Sequence, residues 1–124
     1  MNTIDIKGTV STPAISYNAE NKLLIKGRSI PANEAKFYQP IIEWAGKVDI
    51  DKLIVDINLE YINSGSTKML LSLLKTLDIN TSIKKLVIKW YYEEGDEEAY
   101  ESGKVFKELL RKAEFRFCRF RDAS

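Results

Sequence analysis

The chain has 124 residues, one domain's worth at roughly 150 residues per domain, and 44% apolar content is that of a globular rather than a disordered protein. Its 19 basic and 18 acidic side chains leave a net charge of +1, too little to gather DNA or RNA by a long-range field. Histidine is absent and Cys118 is the single cysteine, which excludes Ser-His-Asp triads, His-ligated zinc hydrolases, an intrachain disulfide and a thiolate metal cluster.

The start, MNTIDIKGTV, has no apolar run behind a basic stretch, so it does not read as a secretion signal. No segment approaches the roughly 18 apolar residues of a membrane-spanning helix. A cytoplasmic domain with no membrane segment is expected. Ala14 to Tyr17 and Lys22 to Lys26 flank Asn18-Ala19-Glu20-Asn21, the pattern of a β-hairpin. Gly27 and Pro31 then break the strand pattern. Asn33 can cap a helix to about Ala45, with Phe37, Ile41 and Trp44 on one face. Pro40 removes a backbone donor and crowds the preceding turn, which predicts a kink or a restart there.

Leu53, Val55, Ile57 and Leu59 alternate, and Ile54 fills the other face, as in a strand buried on both sides. The polar run Asn63-Ser64-Gly65-Ser66-Thr67 interrupts it. A helix follows to about Leu77, with Leu70, Leu73, Leu74 and Leu77 on one stripe. Lys85 to Tyr92 predicts a second central strand. Asp96 can cap a third helix with Glu97 and Glu98 in its first turn, Lys107, Arg111 and Lys112 toward its end, and Phe106, Leu109, Leu110 and Ala113 as its buried stripe. Phe115 through Phe120 closes the chain as an edge strand, apolar residues inward and arginines outward. Cys118 reads as a small packed residue, and Trp44 and Trp90 as core. Strands separated by helices imply parallel pairing through right-handed crossovers; the initial hairpin makes the sheet mixed.

Two clusters carry chemistry. Ser64, Ser66 and Thr67 gather at a helix N-terminus, where free N–H groups and the positive end of the dipole favour an anion. A phosphate on one of these hydroxyls would add roughly −1.5 to −2 charges there, and Lys68 lies within reach. Equally, Asn63 or Ser64 can serve only as the helix cap. The run is no P-loop, lacking the second glycine followed by Lys-Ser/Thr. The second cluster is Glu93, Glu94, Asp96, Glu97, Glu98 and Glu101. Parallel strands send their carboxyl ends to one edge, so this run is expected on the same rim as Ser64. It suits a basic partner, a magnesium ion, or simply a solvated helix start.

Three blocks in register, Gly27-Arg28-Ser29-Ile30-Pro31, Tyr61-Ile62-Asn63-Ser64-Gly65-Ser66-Thr67-Lys68 and Trp90-Tyr91-Tyr92-Glu93-Glu94-Gly95-Asp96-Glu97-Glu98 with Glu101, Ser102 and Gly103, resemble the SiaC family of bacterial regulatory phosphoproteins. The resemblance runs from about Ile15 to Phe117. It implies a STAS-like α/β fold: one domain, a mixed and mostly parallel sheet with helices packed against it, and an N-terminal hairpin. It also implies a protein that is a substrate rather than an enzyme, with no cofactor and no metal. In that family a serine/threonine kinase phosphorylates the hydroxyl residue after the asparagine and a PPM-type serine phosphatase removes the phosphate. The unmodified form binds a partner, in the best-known branch a diguanylate cyclase that it activates. Carried over, the acceptor is Ser64, with Ser66 and Thr67 as alternatives. The partner-binding residues are Asn63, Gly65, Lys68, Glu93, Glu94, Asp96 and Glu97. This chain departs from the family's common pattern at Gly65, where a serine often stands, and at Ala32, where a glutamate commonly follows the proline. Competing readings are an antagonist of an anti-sigma kinase using the same loop, a small acid-dependent hydrolase using Asp96 and nearby glutamates, and a nucleotide-binding domain without catalysis.

Overall fold

The computed structural model describes residues 3–18 and 20–121. Met1 and Asn2 of the opening segment and Ala19 of the expected turn lie outside them. In chain order the elements are β1 (Ile4–Ile6), β2 (Ala14–Tyr17), β3 (Lys22–Ser29), α1 (Glu34–Lys47), β4 (Lys52–Ile62), α2 (Ser64–Ile79), β5 (Lys85–Glu93), α3 (Glu97–Leu109) and β6 (Glu114–Phe120). The six strands form one sheet in sequence order. β1, β2 and β3 pair antiparallel, and β3, β4, β5 and β6 pair parallel. This is the mixed sheet with an N-terminal hairpin that the STAS-like resemblance implies. β1 is an addition that three residues of sequence did not announce.

Alternation in the strands decides which face the helices cover. Leu53, Val55 and Ile57 of β4 are fully or almost fully buried, and in register beside them stand Leu86, Ile88 and Trp90 of β5. On β3 and β2 the same face carries Ile25, Leu23, Ile15 and Tyr17. Against it α2 buries Leu70, Leu73, Leu74 and Leu77 completely. At about 1.5–3 kcal/mol per fully buried side chain, those four leucines contribute on the order of 6–12 kcal/mol before entropy is counted. The start of α2 therefore stands on a firmly seated element. α3 approaches β5 and β6 closely because residue 103 is glycine. A β-carbon there would lie 2.7 Å from the Phe117 ring and 2.8 Å from the Trp90 ring.

Several expectations need correction. β4 is not sandwiched between helical layers: its second face, with Ile54, Asp56 and Asn58, is only half-buried and no helix covers it. Val87 on that face is buried even so. Gly27 does not end β3; with φ at 121° it hosts a register shift between Gly27 and Arg28, and the strand continues to Ser29. α1 does not restart at Pro40 but runs through it. Pro40 faces solvent, so water can satisfy the carbonyl that its missing N–H leaves free. The buried face of α1 is Tyr38, Ile41 and Ala45, while Phe37 and Trp44 are half-buried. Trp90 is core as expected; Cys118 is half-buried on the uncovered face.

α3 stops at Leu109, earlier than its apolar stripe suggests, so Arg111 and Lys112 lie beyond it and Leu109 is exposed. The cause is Asp78 on α2. Its buried carboxylate accepts the backbone N–H groups of Arg111 (2.8 Å), Lys112 (3.0 Å) and Ala113 (2.9 Å). Charge-assisted bonds of this kind are stronger than the intrahelical bonds they replace.

Candidate functional site

Parallel pairing sends β3, β4, β5 and β6 to a common carboxyl edge, and all three helices begin there. Asn33 caps α1, Asn63 caps α2 and Asp96 caps α3. Ligand and partner sites of α/β sheets gather at this edge, because loops and helix N-termini converge on it.

The residues of the β4–α2 junction divide their labour. Asn63 is the cap: its Oδ1 accepts the Ser66 N–H at 2.8 Å. Ser64 is the first helical residue, and it is exposed. Its N–H and that of Gly65 have no intrahelical acceptor at that position. Ser66 points the other way and is fully buried. Ser29 Oγ donates to Ser66 Oγ (2.9 Å), which leaves the Tyr38 hydroxyl to donate to Ser29 Oγ (2.6 Å). The three hydroxyls tie the end of β3, the first half of α1 and the first turn of α2 together inside the protein. Burial pushes the Tyr38 hydroxyl above its ordinary pKa, partly offset by its bonds to Ser29 and Ser66. This burial withdraws Ser66 from the alternatives for surface modification, since its oxygen is sealed. Thr67 is half-buried, and its hydroxyl donates to the Asn63 carbonyl at 3.0 Å.

One neighbour was not foreseen. Glu34, the first residue of α1, accepts from Asn63 Nδ2 through Oε2 at 3.3 Å. Its carboxyl group packs over Gly65, where a β-carbon would come within 2.6 Å of Glu34 Cδ and Oε1. The absent side chain at position 65 makes room for it. Sequence alone offered only a faint signal, an acidic residue just after the Asn33 cap.

The acidic run has several duties. Asp96 accepts the Ala99 N–H (3.1 Å) as a helix cap. Glu94 pairs with Arg121 at 2.8 Å. Glu93, Glu97, Glu98 and Glu101 are exposed. Thr67 of α2, Asp96 at the α3 cap, Glu98 of α3 and Trp90 line one cleft of about 130 Å³, so the starts of α2 and α3 share an edge. Among the described residues no three acidic or cysteine side chains converge as a metal site. Larger hollows lie elsewhere: one of about 770 Å³ between α2 and α3, another of about 670 Å³ beside Tyr17 and Trp44 at the opposite edge. Both are open to solvent.

The sequence matches the SiaC family of regulatory phosphoproteins over residues 6–120. The chain belongs to the SiaC family. No curated relative matches the sequence. Among solved structures, SiaC of Pseudomonas aeruginosa superposes with a TM-score of 0.81 at 25% identity, covering 98% of this chain and 100% of that one. SiaC in the crystal structure of the diguanylate cyclase SiaD in complex with its activator SiaC, from the same organism, gives 0.84 at 25% identity, with 94% and 99% covered. Apo-SiaC from that organism gives 0.78 at 26%, with 96% and 98% covered. A SiaC-family chain is a regulator, and the carboxyl edge is where this one presents an exposed hydroxyl at a helix start. No helix among the described residues is long and apolar enough to cross a membrane.

Proposed function

We propose that this protein is a cytoplasmic phosphorylation-controlled switch that acts by binding, and that its partner is a diguanylate cyclase which the unmodified form activates. The kinase transfers the γ-phosphoryl group of ATP to Ser64 Oγ, the serine proton leaves to the kinase's base, and ADP departs. A PPM-type phosphatase hydrolyses the ester and restores the alcohol. The observation that carries the reading is the exposed Ser64 hydroxyl at the first position of α2, beside buried Ser66 and bonded Thr67. A relative of the same fold is described as the activator of a diguanylate cyclase.

The docking surface in this reading comprises Asn63, Gly65 and Lys68 at the start of α2 and Glu93, Glu94, Asp96 and Glu97 around the start of α3. A phosphate on Ser64 adds a near-dianion to an edge that already carries those carboxylates. Where the partner meets this edge with negative charge of its own, the juxtaposed like charges cost several kcal/mol, and every 1.4 kcal/mol weakens binding about tenfold. Phosphorylation thus releases the partner by repulsion and by bulk. Intact-mass analysis and peptide mapping of protein isolated from its native cells test the assignment. One phosphate on the peptide holding Ser64 is expected. Phosphate confined to another hydroxyl, or none under any growth condition, would overturn it.

A further inference from the structure

Glu34 and Asn63 are 29 residues apart, yet the Glu34 carboxylate lies against the first turn of α2. One oxygen accepts from the Asn63 amide, and the rest of the group rests on Gly65. It thereby touches both chain neighbours of Ser64. Among the described residues no ion pair engages it. What holds this carboxylate is the Asn63 side chain, the space left by glycine and the positive end of α2.

We infer that Glu34 is the residue through which a phosphate on Ser64 acts on the fold: the carboxylate occupies the ground beside the α2 N-terminus, and modification expels it and unfastens the first turn of α1. The inference rests on Ser64 being the acceptor. A phosphoserine at the first helical position seeks the same partial positive charge and the same free N–H groups that attract Glu34. Both anions cannot share one helix end at ordinary cost. The phosphate is fixed to α2 by a covalent bond, whereas Glu34 reaches α2 through a flexible side chain. Asn63 cannot yield instead, because its Oδ1 is bound to the Ser66 N–H at 2.8 Å. α2 cannot yield either, anchored as it is by four buried leucines. The loser is Glu34, and the element it belongs to is α1. The modification is thereby carried from one helix start to the next along the carboxyl edge.

The test installs phosphoserine at position 64 during translation, so that no kinase is needed, in wild-type and Glu34→Gln backgrounds. Glutamine keeps an acceptor for the Asn63 amide and removes the charge. Hydrogen exchange is then read at the amides of residues 37 and 38, whose bonds close the first turn of α1. Phosphate is expected to accelerate exchange there roughly tenfold in the wild type and to leave it unchanged in Glu34→Gln. Equal acceleration in both backgrounds, or none in either, would overturn the inference. Gly65→Ala supplies a charge-free arm: its β-carbon displaces Glu34 sterically, and the same amides should exchange faster without any phosphate. If they do not, the Glu34 contact is not what fastens α1. Affinity for the cyclase, measured on the same proteins, reports separately on the functional reading. Phosphoserine that leaves that affinity intact sinks the switch, whatever the exchange data say about Glu34.

Discussion

Asn63, Ser64 and Ser66 show how one helix start assigns three polar neighbours to different tasks. Successive helical positions are turned by about 100°, so once Asn63 caps α2, Ser64 faces water and Ser66 faces the core. The sequence supplied the residue types but left open whether Asn63 or Ser64 was the cap. The sharpest neighbours of the site were not readable at all. Glu34 meets Asn63, and Ser29 meets Ser66, across 29 and 37 residues of chain, brought together by the pairing of β3 with β4. Asn63→Ala tests the cap. It should lower stability by about 1 kcal/mol for the lost cap bond, with a further loss because Glu34 is left without its partner, as read by denaturant melts.

At the scale of elements, periodicity located every helix and every strand except β1, but it missed where three of them stop or continue. Pro40 is tolerated within α1 because it lies on the solvent side. The penalty still stands: Pro40→Ala restores an intrahelical bond and should raise stability by up to about 3 kcal/mol in thermal melts. No gain would mean that the ring makes contacts worth as much as the bond it forfeits. α3 ends early for a reason its own residues do not carry. Asp78, on a different helix, takes three backbone N–H groups of the α3–β6 link. Asp78→Ala removes three charge-assisted bonds and should cost about 2–4 kcal/mol, measured by urea unfolding, while leaving Ser64 exposed.

For the whole molecule, the simple strand order places three helix starts on one edge and leaves one sheet face without helices. Mostly parallel pairing was legible from alternating strands and helices; the uncovered face was not, because half-buried apolar residues such as Ile54 look in sequence like fully buried ones. Three tyrosines make the fold sensitive to alkali. Burial raises Tyr17, Tyr38 and Tyr91, the last helped by the negative charge of Asp56 and by Cys118. A phenol whose folded pKa is raised holds its proton longer in the native state than in the unfolded chain. Its stabilisation is complete below the unfolded value of about 10 and is lost as pH climbs through the folded one. Melting temperature should therefore be flat through neutrality and fall above about pH 10. Tyr38→Phe should be less stable at neutral pH, for want of the hydroxyl bonded to Ser29, and should fall less steeply in alkali.

The edge matters because it joins the exposed Ser64 to a run of carboxylates, the two parts of the proposed switch. Titrating the proposed partner, a diguanylate cyclase, calorimetrically with unmodified protein, and with protein carrying phosphoserine at position 64, addresses that union most directly. The account predicts tight binding by the first and binding weaker by roughly 100-fold or more, about 2.7 kcal/mol, by the second. Equal affinities would contradict it.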